Sequence, residues 1–281
     1  MWWHEQSWPQ IQAIGKSLPV VVPLGSIEQH GHHLPLSVDT TQVTAIAERA
    51  EQQLGAAALF LPTLWLGCSE HHKDFPGTVS VMPSLYSENI KSITRSILRA
   101  GFGKIFLLNG HGGNETPAAQ ALTELVAEDD AADAAYLVFA SWWQVGRDAL
   151  APQRHGMTTP AINHACEYET SMMLALRGDL VDLAAAADQP PVLKSSWLQS
   201  PGGAKVRQFR RFHRLTAGGS IGRPSAGTAE KGAAMLDAVT ADVVAFVREF
   251  TTWPELPAIG PKSSDSPTRT ATSQSAPAGG S

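Results

Sequence analysis

The chain has 281 residues, 43% of them hydrophobic and 17% charged, and a formal net charge of −5. This is ordinary globular composition for one large α/β domain or two small ones. The negative charge and the shortness of every basic run argue against nucleic-acid binding. No apolar stretch is long enough to span a bilayer, and the N-terminal MWWHEQSWPQ lacks the basic and apolar regions of a signal peptide. With only two cysteines, far apart in sequence, we expect a reduced, soluble, cytoplasmic protein without membrane or nucleic-acid partners.

Short apolar runs predict the strands of a buried sheet. Amphipathic spacing predicts helices between several of them, one of which follows the third run at 116–127 and starts with Thr116 and Pro117. Strands that alternate with helices in this way indicate an α/β fold with a mainly parallel sheet covered on both faces. The predicted strands are 18–25, 57–64, 104–110 and 134–141.

The second half of the chain reads differently. Periodicity fades over 184–227, where Pro and Gly breakers predict an irregular excursion rather than a second domain. The basic stretch at 205–214 is interpreted as a solvated loop or an oligomer contact. A strong amphipathic helix around 235–247 closes one domain that covers 1–256. The polar tail at 257–281 cannot bury enough apolar surface to order itself, so we expect it to be disordered.

Residues able to bind metal or substrate follow all four predicted strands. The carboxyl ends of parallel strands meet at one edge of a sheet, where ligand sites form. A single histidine there is more often structural, and a lone Asp is usually a turn or cap residue. Several such residues on one rim favour a site, and imidazole with carboxylate suits Zn, Mn or Fe. If the loop turns between Glu28 and Asp39, one carboxylate could bridge two metals. The candidates at the strand ends are Glu28, His30, Asp39, Glu70, His71, His72, His111, Trp142 and Trp143.

The segment NHACEYETSMML, at 163–174, adds further candidates. His164 and Glu167 would share a face if the whole segment were helical. Glu169 would reach the same site only if the helix begins partway through. Cys166 is interpreted as a small buried residue rather than a nucleophile, because only His164 could activate it.

Five motifs occur in order along the chain: PLGSIEQHGHHLPLSVD, SEHHKDFPGT, NGHGGN, HACEYETS and GSIGRPSAGTAEKG. Together they resemble the creatininase (creatinine amidohydrolase) family over roughly residues 18–250. That resemblance implies a three-layer α/β/α sandwich with two divalent metal ions at the strand ends. It also implies assembly as a homo-oligomer, commonly a hexamer, and hydrolysis of non-peptide or cyclic amide C–N bonds.

The resemblance also implies roles for individual residues. Glu28 and His111 would help hold one metal, His30 would help hold the other, and Asp39 would bridge the two. A water of lowered pKa between the metals would attack a polarised amide carbonyl. His164 matches a histidine that assists proton transfer in creatininase.

Substrate contacts and departures from creatininase follow from the same motifs. Trp143 matches a tryptophan that lies against the substrate ring, and His71 matches a rim histidine. Creatininase has a metal-binding Glu where this chain has Gly113, so Glu169 is our choice for the missing ligand.

Two further positions bear on the substrate. Creatininase has a catalytic Glu where this chain has Asn163, which we place among the substrate-binding residues. A second substrate tryptophan of creatininase matches Pro160. These losses make creatinine a poor candidate substrate.

The leading hypothesis is a metal-dependent amidohydrolase that acts on a small cyclic amide, lactam or formamide-like substrate. One alternative is a peptidase that trims a small precursor peptide. A second alternative, from another class, is a metal-binding protein without catalysis. The proton-transfer candidate His164 favours an enzyme, because a non-catalytic metal site has no use for such a residue.

Overall fold

A four-stranded parallel sheet forms the centre of the protein. The structure is a computed structural model that describes residues 1–193, 195–198 and 205–260. The strands lie in the order β2-β1-β3-β4. In the register, Val22 of β1 lies beside Leu107 of β3, and Phe106 of β3 lies beside Val138 of β4. The mainly parallel sheet predicted from the alternating pattern is confirmed. The strands are β1 Val20–Leu24, β2 Leu59–Phe60, β3 Lys104–Asn109 and β4 Tyr136–Ser141.

All four strands are shorter than the apolar runs that predicted them, and β2 differs most. The run at 57–64 contributes only two strand residues. Pro62 cannot donate a ladder hydrogen bond, so regular pairing stops soon after β2. The chain touches β1 once more, through an isolated bridge between Leu24 and Leu64.

Helices cover both faces of the sheet. The predicted helix at 116–127 is confirmed as α4, with one extra residue at each end. The predicted C-terminal helix is confirmed as the longer α8. In chain order the helices are α1 Trp8–Ala13, α2 Val38–Leu54, α3 Pro83–Arg99, α4 Glu115–Glu128, α5 Asp130–Asp133, α6 Trp142–Val145, α7 Glu167–Arg177 and α8 Ala229–Thr252.

Two hydrophobic cores lie on opposite faces of the sheet, because successive strand side chains point in opposite directions. On one face Val21 of β1 belongs to the same core as Ile46 of α2 and Val239 of α8. On the other face Val22 belongs to the same core as Ile90 of α3 and Ala121 of α4. The result is the expected three-layer α/β/α sandwich.

The region predicted to be irregular is confirmed as such among the residues described. Its regular structure consists of short 3-10 turns, at Leu183–Ala185, Phe212–Arg214 and Pro224–Ala226. Residues 261–281 of the tail predicted to be disordered lie outside the described residues. None of the described helices combines the length and apolarity needed to cross a membrane. Both cysteines are free and buried.

Candidate metal centre

Five predicted ligand residues converge at the carboxyl end of the sheet. Glu28 and His30 follow β1, and His111 follows β3. Asp39 lies in the first turn of α2 and Glu169 in the first turn of α7. All five side chains are buried, although the residues are separated by up to 141 positions in sequence. The fold thus brings distant donors into one cluster.

Asp39 lies at the middle of this cluster, with one carboxylate oxygen toward each of two histidines. Its Oδ1 is 3.3 Å from Nε2 of His30, and its Oδ2 is 2.9 Å from Nδ1 of His111. Oε1 of Glu28 lies 3.4 Å from the same nitrogen of His111. Oε1 of Glu169 lies 3.8 Å from Nε2 of His30. Two groups of donors therefore share Asp39.

The donors fit divalent cations. Nε2 of His30 and Oδ2 of Asp39 are fully buried, yet neither makes a hydrogen bond within the described part of the chain. Buried polar atoms without a partner are rare and are a common mark of an ion site. Potential ligand atoms of His30, Asp39 and Glu169 all lie within 4.8 Å of one another. Mixed imidazole and carboxylate ligands favour Zn, Mn or Fe over Ca or Mg.

The pKa shifts within the cluster also agree with a cation site. Burial alone lowers the pKa of His30 and of His111, but the neighbouring carboxylates outweigh it and raise both pKa values well above the ordinary value. Burial raises the pKa of Asp39, yet the two histidines hold it well below its usual value. Burial also raises the pKa of Glu169. The shifts of Asp39 and the two histidines come from their close contact with one another, and a cation bound among these carboxylates would replace the protons on the histidines.

The start of α7 decides which acid reaches the centre. The helix begins at Glu167, and Ala165 before it has a left-handed backbone with φ of 49°. His164 therefore lies outside the helix, and the shared face considered for His164 and Glu167 is wrong. Glu167 points away from the cluster and pairs with Lys231 at 2.7 Å. Glu169, two residues further on, is the acid that joins the centre.

His164 also contacts the cluster, with its ring centroid 4.3 Å from that of His30. Its Nδ1 lies 3.6 Å from Oε1 of Glu28. Its Nε2 lies 2.8 Å from the backbone oxygen of Gln29. Burial lowers the pKa of His164 to about 3, so the ring is neutral at physiological pH. A neutral imidazole beside the ligands can accept a proton.

Three more residues contact the centre: His72, which was a candidate without an assigned role, and Gln29 and Ser69, which the sequence analysis did not propose. His72 is fully buried with Nε2 3.5 Å from Oε2 of Glu28, and the Ser69 hydroxyl donates to the same oxygen. The amide of Gln29 lies beside both His72 and His164. Gln29 and Ser69 lie within the quoted motifs, but neither glutamine nor serine is a residue type that indicates a metal site.

Gly113 has no room for a side chain. A Cβ there would overlap the carbonyl oxygen of Cys68 and Nε2 of His111, and would lie 2.8 Å from Cε1 of His71. The resemblance puts a metal-binding Glu of creatininase at this position. This backbone could not accommodate that residue without moving His111. Glu169 lies 3.8 Å from His30 on the other side of the cluster.

A cavity of about 860 Å³ opens next to the centre. His71 and Asn163, both expected to contact substrate, line it together with Gly113 and Phe212. Trp143 is not among the described residues that line it. Its ring packs edge-on against the buried Trp142, at a centroid distance of 5.3 Å.

The basic stretch at 205–214 covers part of this region. Phe212 is buried, with its ring centroid 4.1 Å from that of His72 and 4.6 Å from that of His164. Arg211 forms an ion pair with Asp74. The interpretation as a solvated loop therefore holds for most of its side chains and is wrong for Phe212.

The sequence matches known proteins along most of its length. Residues 4–247 match the model of the family described as creatininase, creatinine amidohydrolase. The chain belongs to the creatininase family. It is 31% identical to creatinine amidohydrolase of Pseudomonas putida over 66% of this chain and 76% of that protein. It is 32% identical to the mycofactocin precursor peptide peptidase of Mycolicibacterium smegmatis over 76% of this chain and 77% of that one.

Solved structures agree with the family assignment. A crystal structure of creatinine amidohydrolase superposes with a TM-score of 0.75 at 28% identity, covering 89% of this chain and 97% of the other. A manganese form of creatininase superposes equally well, with a TM-score of 0.75 at 28% identity over 89% of this chain and 98% of the other. The creatininase resemblance and the predicted fold are confirmed. The protein is a metal-dependent hydrolase of carbon–nitrogen bonds.

Proposed function

We propose that this creatininase-family protein binds two divalent metal ions, Zn, Mn or Fe, and hydrolyses the amide bond of a small cyclic amide, lactam or formamide-like substrate. Glu28 and His111 would hold the first ion, His30 and Glu169 would hold the second, and Asp39 would serve both. When bound, such a pair supplies a water of lowered pKa and polarises the carbonyl oxygen of the substrate.

One observation carries the proposal. The two oxygens of Asp39 face different histidines, His111 at 2.9 Å and His30 at 3.3 Å. A carboxylate with only a structural role would have its oxygens satisfied by N–H or O–H donors, yet Oδ2 makes no hydrogen bond to any described residue. A bridging ligand accounts for both facts.

His164 is the proposed catalytic residue for proton transfer. Its Nδ1 faces the cluster, 3.6 Å from Oε1 of Glu28, while its Nε2 lies beside the backbone oxygen of Gln29. A neutral ring in this position takes up a proton as the attack proceeds and returns it to the departing nitrogen. Phe212 lies against the ring and excludes water from that side.

His71 and Asn163 are proposed to bind the substrate, because both line the cavity beside the centre. Trp143 remains a proposal from the resemblance alone, and a bulky substrate would have to extend beyond the described cavity to reach it. Asn163 cannot act as the acid that the resemblance places at its position in creatininase. This difference makes creatinine a poor candidate, and we propose another amide as the substrate.

The size of the cavity favours a second candidate activity. At about 860 Å³ it is as large as the sites that hold drug-sized ligands. The similarity to mycofactocin precursor peptide peptidase extends over 76% of this chain. Removal of residues from a small precursor peptide is therefore the alternative, and a non-catalytic metal protein is disfavoured by the placement of His164.

Elemental analysis of purified variants tests the metal assignment. Asp39→Ala should lose both ions, and Glu169→Gln should lose the second ion preferentially. His164→Ala should keep both ions and lose turnover. Loss of metal with His164→Ala, or an unchanged metal content with Asp39→Ala, would refute the assigned roles.

A substrate screen separates the two activities. The manganese- or zinc-loaded protein is assayed against hydantoins, lactams, formamides, creatinine and short peptides, with His164→Ala as the inactive control. Turnover of a cyclic amide or formamide supports the leading proposal, and turnover of peptides alone supports the alternative. Size-exclusion chromatography with light scattering tests the expected homo-oligomer, a hexamer by resemblance.

A further inference from the structure

Gln29 and His72 have no role in the chemistry proposed above, yet both are buried against the centre. The side-chain amide of Gln29 makes four contacts, of which the first settles its orientation. Oε1 accepts a hydrogen bond from the backbone N–H of Gly31 at 3.0 Å. Nε2 lies 3.0 Å from the carbonyl oxygen of Gly219, which can only accept. Rotating the amide by 180° would bring its nitrogen against the N–H of Gly31 and its oxygen against the carbonyl oxygen of Gly219. The orientation is therefore fixed.

The fixed amide assigns the proton of His72. Nε2 of Gln29 lies 2.8 Å from Nδ1 of His72, and an amide nitrogen can only donate. Nδ1 therefore accepts, and the proton of the neutral ring is on Nε2. That nitrogen lies 3.5 Å from Oε2 of Glu28, and the Ser69 hydroxyl donates a hydrogen bond to the same oxygen. Oε1 of Glu28 is left facing His111.

The same residue assigns the proton of His164. Nε2 of His164 lies 2.8 Å from the backbone oxygen of Gln29, a contact that requires a proton on that nitrogen. The two amide hydrogens of Gln29 are then donated to Nδ1 of His72 and to the carbonyl oxygen of Gly219, so the 3.0 Å contact between Nε2 of Gln29 and Nε2 of His164 is not a hydrogen bond. Nδ1 of His164 is left with its lone pair toward the centre.

We propose that Gln29 and His72 are positioning residues: the Gln29 amide fixes the Nε2–H form of His72, which orients the Glu28 carboxylate toward the first ion. The Gln29 backbone oxygen fixes the Nε2–H form of His164. The inference rests on the proposed metal centre for its effect on affinity, but the two proton positions hold with or without an ion. Partners of this kind orient metal ligands, and their loss costs 10–100-fold in affinity in general.

Gly219 shows how closely the chain packs on this amide. It has φ of +84°, and a Cβ there would overlap Oε1 of Gln29. The glycine-rich turn TAGGS thus admits the amide to the position where it contacts both histidines.

The test compares Gln29→Glu, Gln29→Met and wild type in the full chain. Nitrogen-15 spectra of histidine-labelled protein, recorded metal-free and with zinc, report which ring nitrogen bears the proton. His72→Gln identifies the His72 signal by its disappearance. A chelator competition measures the affinity for zinc.

In wild type both His72 and His164 should carry the proton on Nε2. Gln29→Glu replaces the donor with an acceptor, so His72 should move its proton to Nδ1 and zinc affinity at the tighter site should fall about 10–100-fold. Gln29→Met should lower the affinity similarly, even should the glutamate variant fail to fold. His164 should keep its form in both, because its partner is a backbone oxygen. Gln53→Glu, on the exposed face of α2, adds the same charge and should change neither readout.

Three results would overturn the inference. The first is a proton on Nδ1 of His72 in wild type. The second is a fall in zinc affinity with an unchanged His72 spectrum, which would mean that Gln29 acts through packing alone. The third is an unchanged affinity in both Gln29 variants. A wild-type protein that binds neither zinc nor manganese would instead refute the proposed function. The spectra would still test the two proton positions in that case.

Discussion

Gly113→Ala tests the claim that this protein has no space for the second-metal ligand expected at that position in creatininase. The added Cβ would overlap the carbonyl oxygen of Cys68 and Nε2 of His111. The backbone at Cys68 is held in turn, because its N–H donates to Asn114 at 2.9 Å. The histidine must therefore move, and His111 is the residue whose Nδ1 lies 2.9 Å from Asp39.

The size of the effect follows from that crowding. Overpacking a well-packed site costs about 1–3 kcal/mol, and here a large part of the displacement falls on His111, a proposed metal ligand. We expect a loss of about 1–3 kcal/mol in the free energy of unfolding and loss of the ion that Glu28 and His111 are proposed to hold. Urea unfolding and elemental analysis measure the two effects.

Gly112→Ala is the matched control, because nothing lies within 4 Å of a Cβ at that position. It should change the unfolding free energy by less than about 0.5 kcal/mol and leave the metal content unchanged. Equal behaviour of the two variants would refute the reasoning, since it would show that the Gly113 turn adjusts without moving His111.

Three more substitutions probe the supports of the centre. Burial would raise the pKa of Glu167, but Lys231 and other donors lower it to about 2, so its stabilising effect is complete above about pH 4.5 and is lost as the pH falls toward 2. Lys231→Met should therefore lower the free energy of unfolding by about 3 kcal/mol at pH 7, a difference that shrinks in acid. Gly232→Ala should cost about 1–3 kcal/mol in thermal unfolding, because its Cβ would overlap the carbonyl oxygen of Ser171 where α8 crosses α7. Phe212→Ala should speed the loss of zinc to a chelator severalfold, because the ring covers one side of the centre.

Each of these three substitutions has a matched control variant elsewhere in the chain. Lys73→Met breaks an exposed pair with Glu70 and should cost less than about 1 kcal/mol. Gly178→Ala meets nothing within 4 Å and should be near neutral. Phe209→Ala, 82% exposed in the same segment as Phe212, should leave zinc release unchanged. A control variant with the same measured effect as its test variant would contradict the corresponding prediction.

Much of the fold could be predicted because hydrophobic periodicity records it directly. The spacing of Val43, Ile46 and Leu54 predicts α2, and all three side chains are buried. The extent of β2 could not be read in this way. An apolar run marks burial, whereas a strand needs ladder hydrogen bonds, and Pro62 limits those.

The candidate site was predictable where residue type carries the signal. Glu28, His30, Asp39 and His111 were proposed from their types and strand-end positions, and the structure brings them together. The inclusion of Glu169 depended on where α7 begins, which spacing alone left open.

Other parts of the site depend on tertiary contacts that no local pattern records. Gln29 and Ser69 are common polar residues whose neighbours come from distant segments. Phe212 belongs to a basic stretch whose charges dominate its appearance in sequence. Only the folded chain shows that this ring lies on His72 and His164.

The convergence of ligands from four separate segments has a thermodynamic consequence. An ion bound by the proposed ligands, which follow β1 and β3 or lie in α2 and α7, would bind the folded chain and not the unfolded one, so its binding energy would add to the stability of the whole domain. At a free metal concentration 100-fold above the dissociation constant this linkage amounts to about 2.7 kcal/mol. Limiting the supply of the metal in a cell would then shorten the lifetime of the protein as well as abolish its activity, because degradation follows the unfolded fraction.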